Sequence, residues 1–539
     1  MARTFNLADL FEVVAGVVPE RIAFICGAHR LSFRQLDERA TRLACGLRAR
    51  GIGRLDNVGI QLYNSAEYLE TFLACCKIGA APVNVNYRYV ADELTYLFTS
   101  LDLKLLVYGA QFDVEVGKVL PRVATLKNAI RVGAEVEVGA GVAGVENYES
   151  VLTTGEATLD DPERSDNDLY MLCTGGTTGM PKGVVWPHKS LFMGALGGGG
   201  FYLRCPPIGR PEDLERLVPQ ASPLVFFASA PMMHGAAMWA SLISLYSGHT
   251  VVVNDQTNFD AEHAWDVVVR DGVNSMSVVG DAMATPLIQA LEAHPQRWDL
   301  NALMLFGNGG AVLSGHLQER MKAAVPHIMF NNNMGSSEMG VVGGGNRPAH
   351  GEGYMVLQPS EVLAVIDEQM CIVTAPGSQG VLARTGYTPI SYYRDPEKSA
   401  EVFVTVNERL WVLSGDRARI DEEGRIVMLG RGSQCINSGG EKIFTEEVEE
   451  AARRCPTVQD VLVIGIADER WGQKVAAIVE VMPGAEFSAT DFQYVCRQYL
   501  SGYKVPRAVF LTDKVMRSPA GKADYRWAKE YVTQHGSVI

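Results

Sequence analysis

The sequence predicts an α/β protein: a large N-terminal domain of several subdomains, built on mixed and largely parallel sheets, followed by a small α+β domain. Three observations predict it. Apolar β-α-β alternation recurs in the first half of the chain, and the pattern changes to a compact αβ rhythm near Gly430. The 539 residues also amount to about three to four domain units, enough to bury large cores and still keep a small domain apart.

Residues 58–62 read as a strand and residues 64–77 as a helix with Glu67 in its first turn. Gly79 ends that helix before a second apolar strand at 81–85. The same alternation returns at 250–254, 260–270 and 275–279, which implies parallel strands joined by crossover helices. Residues 197–222, with four consecutive glycines, several prolines and no helical period, read as the least regular stretch. Residues 410–413, 417–421 and 425–429 read as a meander turning at Glu422, Glu423 and Gly424. Beyond Gly430 come a helix at 446–454 with Thr445 as N-cap, a strand at 461–466 and a helix near 490–500 closed by Gly502. The expected boundaries are 1–430 for the first domain and 434–539 for the second, about 105 residues after Gln434.

Composition narrows the function. The formal net charge is -14, and no lysine-arginine cluster interleaved with aromatics occurs, so the overall field repels nucleic acid. The ten cysteines show no metal-like pairing, which reads as buried free thiols in a reducing compartment. Asp9 and Glu12 fall where a signal peptide would be apolar, and no apolar run approaches the roughly 18 residues of a membrane span. The expected location is cytoplasmic, with no transmembrane segment.

The segment LCTGGTTGMPK at 172–182 is the strongest chemical signal. Glycines let successive N–H groups turn toward an anion, threonine hydroxyls add donors, and Lys182 supplies a full charge, so the run suits a polyphosphate. A Walker-type loop requires Gly-Lys followed by Ser or Thr, whereas Lys182 stands between Pro181 and Gly183. A plain Gly/Thr surface loop is the alternative for this segment taken alone. Three further segments follow it: MGSSE at 334–338, LSGDR at 413–417 with GRGSQCINSGGEKIFTEEVEE from Gly430, and PAGKADYR from Pro519.

In this order the segments resemble those of the adenylate-forming superfamily of acyl-CoA synthetases, adenylation domains and luciferases, and the resemblance runs over essentially the whole chain. NVNYRYVADEL from Asn84 is similar to the N-terminal portion of its fatty-acyl-CoA ligases. The resemblance implies that Thr174, Gly175, Gly176, Thr177, Thr178 and Gly179 hold the β- and γ-phosphates of ATP, with Lys182 as a mobile counter-charge. It implies that Glu338 binds Mg²⁺ and that Ser337 contacts phosphate. The resemblance also implies that Gly310 and Ala311 line one side of the adenine and Met334, where most relatives carry an aromatic ring, the other, with Asn333 and Gly335 also binding the nucleotide. Asp416, taken to end a strand, is implied to accept the ribose hydroxyls, with Arg431 as its partner.

Lys522 is implied to bridge the carboxylate and the α-phosphate during adenylation, a role that suits a long cation shared between two anions. The resemblance further implies that Ser438, Gly439 and Gly440 border the pantetheine tunnel in the thioester-forming state and that His234 lies near the acyl and thiol entrance, although a lone histidine also reads as a satisfied core residue. The C-terminal domain is accordingly expected to be mobile about a hinge near Gln434, where the family usually carries an acidic residue or lysine. Catalytic roles fall to Lys522, His234, Thr178 and Glu338.

The expected activity is that of an ATP-dependent, AMP-forming acyl-CoA synthetase that uses Mg²⁺ and takes a small-molecule carboxylic acid, ATP and CoA. An acyl-AMP ligase loading a carrier protein, a luciferase-like oxygenase and a non-catalytic nucleotide sensor are the alternatives. The versions CTGGTTGMPKGVVW and NNNMGSSEMG resemble actinobacterial ligases for long-chain or steroid side-chain acids. Two readings stand for the glycines at 197–200 and at 340 with 343–345: walls flanking an acyl pocket broad enough for fused rings, or a mobile surface loop in the first case and a tight turn in the second. Oligomeric state is left open, a homodimer included.

Overall fold

A computed structural model describes residues 3–133, 145–160, 163–175, 180–310, 313, 315–344, 355–431, 435–516 and 524–539. Two eight-stranded sheets dominate the N-terminal part. In the first, the strand order is Gly340–Gly344, Met329–Ser336, Leu305–Asn308, Ser275–Val278, Val225–Ala228, Thr250–Val253, Ile22–Cys26 and His29–Ser32. Its inner pairs are parallel and its two outermost pairs antiparallel. The second runs from Ser391–Tyr392 through Pro181–Pro187, Leu169–Gly175, Ala81–Asn84, Asn57–Gln61, Leu103–Gly109 and Asn128–Val132 to Val145–Asn147.

The first expected β-α-β unit is present: Asn57–Gln61 and Ala81–Asn84 are parallel neighbours joined by the helix Ala66–Lys77, which Gly79 ends at φ +67°. In the second unit, Val225–Ala228 lies between the two predicted strands and pairs in parallel with both. The apolar faces of both sheets and of helices such as Leu7–Val17, Phe33–Ala49 and Gly235–Tyr246 meet in one core. Cys75 and Cys76 are buried there as free thiols.

A third sheet departs from the parallel plan, since all its pairings are antiparallel. The two strands predicted at 410–413 and 417–421 are one strand, Arg409–Ile420, because Gly415 at φ +74° absorbs an irregularity without breaking the pairing. Asp416 is therefore inside a strand and not at its end. The stretch 197–222 is also more regular than expected: it holds the helices Gly200–Leu203 and Asp213–Leu217, anchored by buried Leu214 and Val218.

The C-terminal part is a five-stranded sheet with its own core around Val463, Val479 and Phe492. Thr445 is the first residue of the helix Thr445–Ala452 and not its cap. The expected strand and later helix are Val458–Asp468 and Ala489–Tyr499, the latter capped by Ser488. Gln434, the expected hinge, lies outside the described residues.

Candidate active site

The C-terminal ends of the parallel strands in the first sheet open onto a cavity of about 1320 Å³, which is where α/β sheets present ligands. Beyond Leu305–Asn308, Gly309 and Gly310 form one wall, and Gly310 takes φ +84°. Asn308 fixes this edge by accepting a hydrogen bond from the Gly280 N–H at 2.8 Å. Asn333, Met334 and Gly335, at the end of the neighbouring strand, face the same space. Ala311 lies outside the described residues.

Thr174, Ser337 and Glu338 also line the cavity. The indole N–H of Trp186 donates to the Ser337 carbonyl at 2.8 Å, and the Tyr392 hydroxyl donates to Glu338 Oε1 at 3.0 Å. Among the described residues no group of three or more His, Cys, Asp and Glu gathers. A single half-buried carboxylate facing open space does not make a closed cage. It does fit Mg²⁺, which keeps waters and completes its shell with phosphate oxygens.

Lys182 does not reach the cavity. It is ion-paired with Asp395 at 2.5 Å and lies 5.6 Å over the Tyr392 ring, so a counter-charge role requires it to leave that carboxylate. Gly175 closes the strand Leu169–Gly175, while Gly176, Thr177, Thr178 and Gly179 lie outside the described residues. Asp416 is buried opposite Arg431 in the antiparallel pair, away from the cavity wall. Ser438 is likewise set back from it, and Lys522 lies outside the described residues.

One end of the cavity is formed by the helix Gly235–Tyr246. Ala236, Trp239, Ala240 and Ile243 recur at the i, i+3, i+4, i+7 spacing of one helical face and line the cavity, while Met238, Leu242 and Leu245 are buried in the core. Gly197 and Phe201 also line the cavity. Gly340 does not belong to this wall. At φ +69° it sits where an added Cβ would meet Arg384 Nη1, the Gly194 carbonyl oxygen and the Trp186 ring, each at 3.1 Å. It serves the backbone, which is the tight-turn reading of this glycine and not the pocket-wall one.

The C-terminal domain closes the cavity with the turn between Cys435–Ser438 and Glu441–Phe444, where Gly439 and Gly440 have φ +59° and +85°. Next to it, Glu441 Oε1 lies 2.9 Å from His234 Nε2 and accepts from the Arg88 guanidinium. Burial alone would raise the Glu441 carboxyl. The His234, Arg88 and Lys504 charges outweigh burial and hold it at about 2. Sequence reasoning missed Glu441, Arg88, Tyr392 and Asp395. Glu441 and Arg88 fall inside quoted motifs, yet their pairing across 353 residues has no local signal.

Residues 11–393 match the AMP-binding enzyme family and residues 447–522 its C-terminal domain. A medium/long-chain-fatty-acid and 3-oxocholest-4-en-26-oate CoA ligase of Mycobacterium tuberculosis is 38% identical over 98% of this chain and 96% of its own length. A 3-oxocholest-4-en-26-oate CoA ligase of Rhodococcus rhodochrous is 37% identical over 97% and 95%. The fold is shared with the amide bond synthetase McbA of Marinactinospora thermotolerans, at a TM-score of 0.79 and 20% identity over 97% of this chain and 99% of the other. The chain belongs to the AMP-binding, adenylate-forming enzyme family. Its place there is among the AMP-forming acyl-CoA ligases, which use ATP, Mg²⁺ and CoA.

Proposed function

We propose that this chain converts bulky apolar acids, long-chain or steroid side-chain, to CoA thioesters through two half-reactions in one cavity. The carboxylate oxygen attacks the α-phosphorus of ATP and pyrophosphate leaves, giving a mixed anhydride. The CoA thiolate then attacks the acyl carbon and AMP leaves. Mg²⁺ at Glu338 would neutralise charge on the phosphates. In the first half-reaction Lys522 spans the carboxylate and α-phosphate, and Lys182 exchanges Asp395 for phosphate. In the second, the Gly439–Gly440 turn walls the path of the thiol. A hinge near Gln434 between a domain of residues 1–430 and one of 434–539 exchanges the two arrangements.

The observation that carries the acyl assignment is the stripe of Ala236, Ala240 and Ile243. Two alanines on the cavity face of an apolar helix leave room that larger side chains would fill. The cavity volume exceeds the roughly 300–1,000 Å³ of a pocket for one drug-sized ligand, in keeping with a site that holds nucleotide, acyl group and thiol arm. The named relatives act on medium- to long-chain fatty acids and on a 3-oxo steroid acid, which supports the same classes here.

Pyrophosphate release across linear acids and 3-oxo steroid acids, followed by detection of the thioester with free CoA, tests the proposal. Acyl-AMP that accumulates unless a carrier protein is added would replace it with the carrier-loading reading. We place the reaction in the cytoplasm, where ATP and CoA are available; no helix among the described residues is long and apolar enough to cross a membrane. One chain supplies all the groups named, so homodimerisation is a separate matter, read by light scattering.

A further inference from the structure

We propose that Glu93 and Lys504 form a buried latch that positions the C-terminal domain for the thioester step; the proposal rests on the two-step reading above. Lys504 Nζ lies 2.9 Å from Glu93 Oε1, and the Ser501 hydroxyl donates to Glu93 Oε2 at 2.6 Å. Both charged side chains are 4% exposed, although 411 residues separate them in sequence. Lys504 also sits 5.1 Å over the Tyr89 ring and 5.8 Å over that of Tyr503.

Glu93 and Arg88 belong to one N-terminal segment, and Lys504 and Glu441 to the facing domain. Arg88 pairs with Glu441 and Glu93 with Lys504, so the two contacts have opposite polarity. A shifted docking would bring like charges together, and only one register satisfies both pairs. Separating the domains returns all four groups to water. Removing one member while they are docked strands a buried charge, so the latch acts on the docked arrangement alone. Glu93 and Lys504 are positioning residues: the Gly439–Gly440 turn is correctly placed over the cavity only when they meet.

The test uses the full chain and two separately measured steps: pyrophosphate release from ATP and dodecanoate without CoA, and dodecanoyl-CoA formation from supplied dodecanoyl-AMP. Glu93→Gln keeps the acceptor that caps the Val90 N–H, so its helix start is preserved. Lys504→Met keeps the apolar stem. Each variant is expected to release pyrophosphate within about twofold of wild type and to form thioester at least about tenfold more slowly. The double variant should be no slower than the slower single one, because both changes remove the same contact. Equal loss in both steps, unchanged thioester formation, or additive losses would overturn the latch. If Lys504→Met does not fold, Glu93→Gln decides alone. A wild type that performs neither step overturns the two-step reading and the latch together, whereas an active wild type with unaffected variants overturns only the latch.

Discussion

Gly440 approaches Val279 so closely that a Cβ added to the glycine would lie 2.2 Å from Val279 Cγ1. The contact joins the C-terminal turn to the segment that follows Ser275–Val278, and with φ +85° the backbone itself favours glycine. A side chain at 440 therefore obstructs docking and leaves the interior of either domain untouched. Gly440→Ala is expected to lower thioester formation from supplied acyl-AMP by tenfold or more, on the order of 1.4 kcal/mol, while pyrophosphate release is retained. Equal loss in both would show that the glycine serves the turn alone.

The Glu441 carboxyl offers a prediction about pH. Its pKa in the docked protein is about 2, against an ordinary 4.5, so its contribution to stability is fully present above about 4.5 and is lost as pH falls through about 2. The difference in unfolding free energy between wild type and Glu441→Gln should shrink as pH falls from 4.5 to 2, by at most roughly 3 kcal/mol. Urea unfolding at a series of pH values measures it. A difference that stayed level or grew between pH 4.5 and 2 would contradict the depressed value.

Tyr392 orients Glu338 through its hydroxyl, and its ring packs edge-on against Phe403 at 5.6 Å. Tyr392→Phe removes the hydrogen bond and keeps the ring. Groups that hold a metal ligand typically contribute about 10- to 100-fold in metal affinity, so the Mg²⁺ concentration for half-maximal pyrophosphate release should rise by about tenfold. An unchanged Mg²⁺ curve would separate Tyr392 from the metal site.

Gly340 yields a prediction of stability. Leucine there must adopt a left-handed backbone and push against Arg384, which donates to the Val341 and Gly194 carbonyls at 2.8 Å. A cost of about 1–3 kcal/mol is expected, seen as a lower Tm and as a similar loss of activity on steroid and linear acids. Selective loss of steroid acids would return Gly340 to the acyl wall.

What the sequence made legible was local. The unit at 57–84 was readable because its two strands are neighbours; the intervening strand Val225–Ala228 was not, because pairing order is set by the whole sheet. Likewise MGSSE singled out Glu338, which lines the cavity, while the residues that hold Glu338 and Lys182, Tyr392 and Asp395, lie 54 and 213 positions from them. The interdomain pairs Arg88–Glu441 and Glu93–Lys504 join surfaces that no window of sequence brings together. Gly340 stands between two readings at the level of sequence because a glycine needed for positive φ and a glycine that leaves ligand space look the same there.

The proposed acyl wall can be tested from one of its two alanines. Ala240 lies on the cavity face of Gly235–Tyr246, one turn beyond Ala236, and its opposite helical face is already anchored by Leu242 and Leu245. Ala240→Phe adds a ring on the cavity side without disturbing that anchor, and phenylalanine is tolerated within a helix at a cost of roughly half a kcal/mol. If fused rings occupy the space, their kcat/KM should fall relative to a short linear acid by about 1–3 kcal/mol, or roughly 5- to 150-fold, because a filled pocket rejects the bulkier acid more strongly. The short acid acts as the internal control for folding and for the nucleotide site. A loss shared by both acids, or a preference that does not move, would place the acyl group elsewhere in the cavity.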